Sequence, residues 1–509
     1  MSRWTWQRLS GRIVLAASAF AMLAAAAPAK RENPIEKALR QHVETLASDD
    51  FDGREPGTEG ESKTLRYLAR QWFDIGMESG TNDPAHGWFA PVEVVEREPL
   101  SFRASFTRGR RKIVVPDDAG LVVTSGIRSL VENAPVVFVG YGDAPAVPRI
   151  ELAGRIALML DSRRPGSAPD REGGDRAGRL LDAGAAAVVT VLDGDQTIDD
   201  VTAHRRRAGY ALSGDRLGGD IEAYVSSAVA NAMLAGGTVA DVSALRREAA
   251  AVDFAPRLMG LSGTLEATSR ETRIRTHNLI GKLEGRNPGS GAVMLVAHWD
   301  HFGKCASPPA EDLICNGAVD NASGLAVITE AARILSRGRQ LDRDVYFLAT
   351  TGEELGLLGA LAFAESPPLP LDRIVAVFNV DSTGLAPAGQ PFSVVGKGTT
   401  DLDAGIVQVV RAMKRKLAPG DAANAFIKRQ DGWVFRQHDV PAVMVSTSYS
   451  NQERLEKFME DTYHRPSDEA AKVEYGGMVD DVQMQVELVR YFGDARRFPG
   501  RTNAGSRTP

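Results

Sequence analysis

The stretch Val293-Met-Leu-Val-Ala-His298-Trp-Asp-His301 decides the fold, because five apolar residues run without interruption into His298, Asp300 and His301. A short apolar run with no polar alternation reads as a strand buried on both faces of a parallel sheet. The pattern recurs at Val345-Tyr-Phe-Leu-Ala-Thr-Thr351 before Gly352-Glu353-Glu354, and at Ile374-Val-Ala-Val-Phe-Asn-Val380 before Asp381. In open α/β sheets ligands gather beyond the carboxyl ends of the strands. Three strand ends carrying metal-binding side chains therefore point to metal-dependent hydrolysis, with Asp320 and His464 completing the set.

Outward from these strands the chain alternates. Asn278 to Leu283 and Ala442 to Ser446 read as further strands; Ser323 to Leu335, Leu355 to Ala364, Asp401 to Lys416 and Met478 to Phe492 carry helical spacing. Strand and helix in alternation predict an α/β fold with a mixed, mostly parallel central sheet flanked by helices. Upstream, Ile35 to Leu46 and Lys63 to Ile75 read as helices around the turn-rich Asp52-Gly-Arg-Glu-Pro-Gly57, with a strand near Val92 to Val95. Between 112 and 255 the texture changes: Pro135 to Val139, Ile156 to Leu160 and Ala186 to Leu192 read as short strands, Arg176 to Ala183 as a helix, and metal ligands do not cluster. This segment is expected to be an inserted, β-rich α/β domain, leaving 30–111 and 256–497 as one discontinuous unit. No internal repeat is visible.

At 509 residues the chain exceeds one ordinary core, and about 150 residues per domain predicts two or three units. With 43% hydrophobic and 25% charged residues and a formal charge of -6, the chain has the composition of a globular protein and offers nucleic acid no basic surface. Arg3, Arg8 and Arg12, the apolar run Ile13 to Ala27 and the small residues Ala27-Pro28-Ala29 read as a signal peptide over 1–29, implying a periplasmic or secreted protein. That run is shorter than the ~20 residues a spanning helix needs, so no stable membrane anchor is expected. The only cysteines, Cys305 and Cys315, share one loop, and in an oxidising compartment such a pair is expected to form a disulfide. The tail 498–509 is rich in Gly, Arg, Thr and Ser and is expected to be disordered. Oligomeric state is not legible.

Each candidate ligand also has an ordinary structural reading. Asp320-Asn-Ala-Ser could be a capping turn before a helix, and Glu353-Glu354 could favour a helix macrodipole. Asp381 after a buried strand is costly unless paired or coordinated, and Tyr463-His464-Arg-Pro-Ser-Asp468 sets a ligand beside a phenol. Asp300 is placed to orient His298 from behind, whereas His301 reads as a structural or rim residue. Adjacent side chains diverge, so Glu353 and Glu354 can divide into a general base and a ligand. Imidazole and carboxylate without thiolate suit zinc, with Co2+ or Mn2+ as substitutes. Two histidines and three acids exceed what one catalytic zinc takes, which favours two ions about 3.5 to 4 Å apart bridged by one carboxylate.

In their order, His298-x-Asp300, Gly317-Ala-Val-Asp320-Asn321, Glu353-Glu354, Asn379-Val-Asp381 and Tyr463-His464-x-Pro466 resemble the co-catalytic zinc aminopeptidases. That family includes secreted bacterial leucyl aminopeptidases and relatives of glutamate carboxypeptidase and the transferrin receptor. Residues 35–110 and 260–495 carry the resemblance, while Val137-Phe-Val-Gly-Tyr-Gly142 and Gly184-Ala-Ala-Ala-Val-Val189 resemble the protease-associated domain inserted in such enzymes. The resemblance implies two Zn2+ per chain bridged by Asp320, with His298 and Asp381 on one and Glu354 and His464 on the other. It further implies Glu353 as general base, Asp300 behind the ligands, Tyr463 steadying the oxyanion and a cis peptide between Asp320 and Asn321. Arg429-Gln-Asp431-Gly432-Trp433 stands where relatives often have Ser-Asp-His, so substrate contacts there are expected to differ.

The implied activity is removal of N-terminal residues from peptides with a free N-terminus. A water bridging the metals loses its proton to Glu353 and attacks the carbonyl, and Glu353 returns the proton to the leaving amine. Alternatives on the same core are a carboxypeptidase or dipeptidase acting at acidic C-termini and a glutaminyl cyclase with a single zinc. A receptor-like protein without catalysis would be marked by lost metal ligands, and none is lost here.

Overall fold

A computed structural model describes residues 33–85, 87–142, 149–165, 176–194, 196–205, 209–213 and 220–500. The expected signal peptide and the last nine residues of the expected tail lie outside them. Among the described residues no helix is long and apolar enough to cross a membrane.

The parallel heart of the sheet is Ala442–Ser446, Ile374–Asn379, Ala292–His298 and Asp344–Thr350, in that spatial order. Ser393–Val395 adds an antiparallel edge strand on one side and Arg257–Leu283 an antiparallel neighbour on the other. Every residue of Ala292–His298 is buried, as the unbroken apolar run requires of a strand covered on both faces. One covering layer comprises helices Pro34–Leu46, Ser323–Ser336 and Tyr475–Phe492. The first starts where Asn33 accepts the Ile35 N–H ahead of Pro34, and buries Leu39, Val43 and Leu46. Helices Leu358–Glu365 and Gly432–Gln437 pack with each other around Phe363 and Phe435.

Strand Arg257–Leu283 is 27 residues long. It pairs antiparallel with the 20-residue strand Phe89–Arg108, shifting register between Thr268 and Ser269. Met259, Leu261, Leu265 and Ala267 alternate inward and help form a second core with Phe106, Phe138, Ile156, Val189 and Val225. Leu279, near the other end, belongs to the core of the first sheet. Around the second core Arg128–Phe138, Ile156–Leu160, Ala187–Leu192 and Ile221–Ser226 run parallel in that order, with Gly120–Thr124 antiparallel at the edge. The mixed, mostly parallel α/β architecture expected from the sequence is therefore present.

Candidate metal centre

Ile374–Asn379, Ala292–His298 and Asp344–Thr350 are immediate neighbours and parallel, so their carboxyl ends lie side by side. His298 ends its strand, Asp381 follows two residues beyond Asn379, and Glu353 and Glu354 lie in the turn that Gly352 opens with a positive φ of 57°. His298 Nε2 is 3.2 Å from Asp320 Oδ1 and 3.4 Å from Asp381 Oδ1. On the other side, His464 Nε2 is 3.4 Å from Asp320 Oδ2 and 3.0 Å from Glu354 Oε2. Asp320 thus presents one oxygen to each histidine. His301 Nδ1 donates to Glu354 Oε1 at 2.7 Å, so two sets of potential ligands, His298–Asp320–Asp381 and His301–Asp320–Glu354, share Asp320.

The surrounding backbone is pinned. Asp320 is joined to Asn321 by a cis peptide bond, and the Asp468 carboxylate accepts the N–H groups of Val319 and Asp320 at 3.0 Å each. Fully buried Arg54 donates to the carbonyls of Leu46, Trp299 and Gly317, tying three segments to one guanidinium. The turn that carries it fits closely: a Cβ on Gly53 would lie 2.7 Å from Cys315 O and from Gly303 Cα. Cys305 and Cys315 are bridged, fixing the loop on which this turn rests. His464 and Ser382 both take positive φ, 57° and 49°, a conformation that costs a non-glycine residue about 1–2 kcal/mol and concentrates at functional sites.

Electrostatics follow from burying many acids together. Burial lifts the Glu353 carboxyl well above its usual range, and Asp381 and Glu354 push the same way against the opposing pull of His298. Burial disfavours the His464 imidazolium, yet Asp320 and Glu354 outweigh it and raise its pKa to about 9. Asp300, wholly buried, is lifted to about 7 by its desolvation despite the nearby His298. Asp320 Oδ2, His301 Nε2 and His464 Nε2 are buried and make no hydrogen bond of good geometry among the described residues, the close approaches of His464 Nε2 to Asp320 and Glu354 included. Orphaned buried atoms of this kind call for an explanation, and a nitrogen and oxygen donor set suits a zinc-type cation.

The structure brings together every residue singled out from the sequence, and changes two expectations of geometry. His298 Nδ1 meets the backbone oxygen of Asp300 at 3.1 Å rather than its carboxylate, which is 3.8 Å away. The Asp300 carboxylate instead accepts the N–H groups of Glu353 and Glu354, at 3.1 and 3.3 Å. His301 is buried and bonded to Glu354 rather than lying at a rim; its position two residues after Asp300 is the signal that could have raised it. Tyr463 stacks on His464 with ring centroids 3.6 Å apart and lines the cleft over the carboxylates. Arg54 and Asp468 were not foreseen as supports. Asp431, also buried, accepts from Thr350 Oγ1 at the end of its strand.

The fold thus gathers a cluster of acids and histidines able to hold metal ions at the carboxyl ends of adjacent parallel strands. Residues 278–489 match the model described as Peptidase family M28. Among curated relatives, the "Probable zinc metalloprotease" of Pyrenophora tritici-repentis (strain Pt-1C-BFP) is 39% identical over 123 residues, 24% of this chain and 26% of that protein. "Aminopeptidase YwaD" of Bacillus subtilis (strain 168) is 33% identical over 122 residues, 24% of each. The chain therefore spans about a quarter of the length of these relatives. Among solved structures, the aminopeptidase from Aneurinibacillus sp. strain AM-1 has the same fold, with a TM-score of 0.53 at 19% identity over 90% of this chain and 93% of that one.

Proposed function

We propose that this chain is a zinc-dependent exopeptidase that removes N-terminal residues from peptides at a centre for two metal ions. The observation that carries the reading is Asp320, whose two carboxylate oxygens face His298 and His464 on opposite sides. His298 and Asp381 would hold one ion, His464 and Glu354 the other, and Asp320 both. Bound there, zinc supplies Lewis-acid polarisation of the scissile carbonyl and lowers the pKa of water to about 7; Co2+ or Mn2+ would substitute.

The chain's own residues supply the proton traffic. Glu353 lies in the cleft with Asp320 and Asp381, while its backbone N–H is fixed by Asp300. Burial favours its protonated form, so a proton taken from water is held and then passed to the leaving amine. Tyr463 Oη, from the facing wall, donates to the developing oxyanion; desolvation raises its pKa and keeps the phenol protonated. Residues 112–255 are read as a protease-associated domain inserted between 30–111 and 256–497, and residues 1–29 as the signal for export to the periplasm or beyond. The Cys305–Cys315 bridge suits that oxidising destination.

A panel of free and N-acetylated peptides, assayed with and without a chelator, tests the reading. Chelator-sensitive release of the first residue from free-amine peptides alone is expected. Cleavage of blocked peptides with a free C-terminus, and not of free-amine substrates, would transfer the activity to a carboxypeptidase.

A further inference from the structure

The carboxylates of the centre open into a narrow, partly open cleft. Asp320, Glu353 and Asp381 line it together with apolar side chains that include Phe426, Phe458 and Met459. Arg429 is the one cation among the described residues that line it. Its guanidinium lies 5.6 Å from the Phe426 ring centroid and 5.8 Å from that of Tyr463. No carboxylate forms an ion pair with it among the described residues. Elsewhere in the fold, by contrast, Arg97, Arg128 and Arg415 each meet an acid at 2.8 Å or less.

These facts have a chemical consequence. The acids of the cleft are the proposed metal ligands and base, whose charge bound ions balance, whereas the charge of Arg429 has no such counterpart. Aromatic faces beside a guanidinium restrain its plane while leaving its N–H fork available. That fork matches a carboxylate in bidentate geometry. The apolar lining accommodates a hydrocarbon stem, and the cation at its edge is suited to a terminal charge.

Resting on the exopeptidase reading above, we propose that Arg429 is a specificity determinant that binds a carboxylate of the substrate. Two sources share this chemistry: an acidic side chain on the residue seated in the cleft, and the C-terminal carboxylate of a dipeptide.

Two matched pairs of substrates separate the sources. Glutamyl and glutaminyl 4-nitroanilides differ in side-chain charge alone, and Leu-Gly and its C-terminal amide differ in terminal charge alone. In one pair, kcat/KM of the wild-type protein should favour the charged member by at least about tenfold, as a site built to pair a specific polar group does. Arg429→Gln should erase that ratio, and Arg429→Lys should retain part of it because charge survives while the fork is lost. Calorimetric binding of free glutamate against glutamine, and of Leu-Gly against its amide, should change in the same sense. A charged-to-neutral ratio left intact by Arg429→Gln in both pairs, or no preference in the wild-type protein, overturns the proposal. Absence of turnover on every substrate would defeat the exopeptidase reading instead, and the binding ratios would then decide on Arg429 alone.

Discussion

Asp300 and Glu353 are joined across the ends of neighbouring strands: Asp300 Oδ1 accepts the Glu353 backbone N–H at 3.1 Å. The contact lets the His298 strand dictate where the proposed base stands, because Asp300 follows His298 by two residues. Asp300→Ala should lower kcat by about 10- to 100-fold, the usual cost of losing a partner that orients a metal site. Its zinc content should fall less than its turnover. Steady-state kinetics with elemental analysis of the same preparation measures both, and an unchanged kcat would deny Asp300 this positioning role.

Glu353→Gln separates binding from proton transfer. The amide is isosteric with the acid and cannot accept the proton, so the variant should keep its zinc and lose all but a few per cent of turnover. Greater residual activity would remove Glu353 from the base role.

His301 and His464 approach Glu354 from two sides, at 2.7 and 3.0 Å, and their substitutions should differ. With His464 as the ligand, His464→Ala loses one of two zinc equivalents. His301→Ala should retain both and lose activity through a displaced Glu354. The opposite order of zinc loss would transfer the ligand role to His301.

Asp481 provides a pH test away from the centre. Its carboxyl is wholly buried and lifted to about 7 by desolvation, against the lowering effect of hydrogen bonds from Thr447 and Ser446. An acid whose pKa is raised on folding holds its proton in the native state while the unfolded chain has already released it. Between about pH 4, the unfolded value, and pH 7 the native state binds more protons, so this group makes stability fall as pH rises. Asp481→Asn should therefore raise the melting temperature relative to wild type more at pH 8 than at pH 4.5. Parallel melting curves across that range, from calorimetric scans, would count against the shift.

The parts of this molecule legible in the sequence are those where one physical cause dominates. Ala292–His298 and Ala442–Ser446 are buried on both faces, so their apolar runs mark them almost to the residue. Helix Ser323–Ser336 likewise follows from its spacing. Arg257–Leu283 was foreseen only at its Asn278 to Leu283 end, and Phe89–Arg108 only near Val92 to Val95. Between those points Arg257–Leu283 buries every second residue from Met259 to Ser269, but Arg270 to Arg275 are polar but for Ile274 and exposed or half-buried, and the pairing shifts register between Thr268 and Ser269. Of the candidate centre, His298, Glu353, Glu354 and Asp381 were legible because they end or closely follow apolar strands. Their supports were not: Arg54 reads as part of a turn, and only the folded chain brings the carbonyls of Leu46, Trp299 and Gly317 around it.

Strand Arg257–Leu283 gives its side chains to two separate hydrophobic cores, so no flexible tether lies between them along this path. Bending one lobe against the other means flexing a paired ladder, with hydrogen bonds to Phe89–Arg108 running along most of it. Mechanically this is a stiff beam, while Arg429 and Tyr463 line the cleft from outside that ladder. The same continuity predicts how the chain comes apart: a protease cut within 257–283 severs a strand that serves both cores, so neither core can be trimmed away at that strand as an independent fragment.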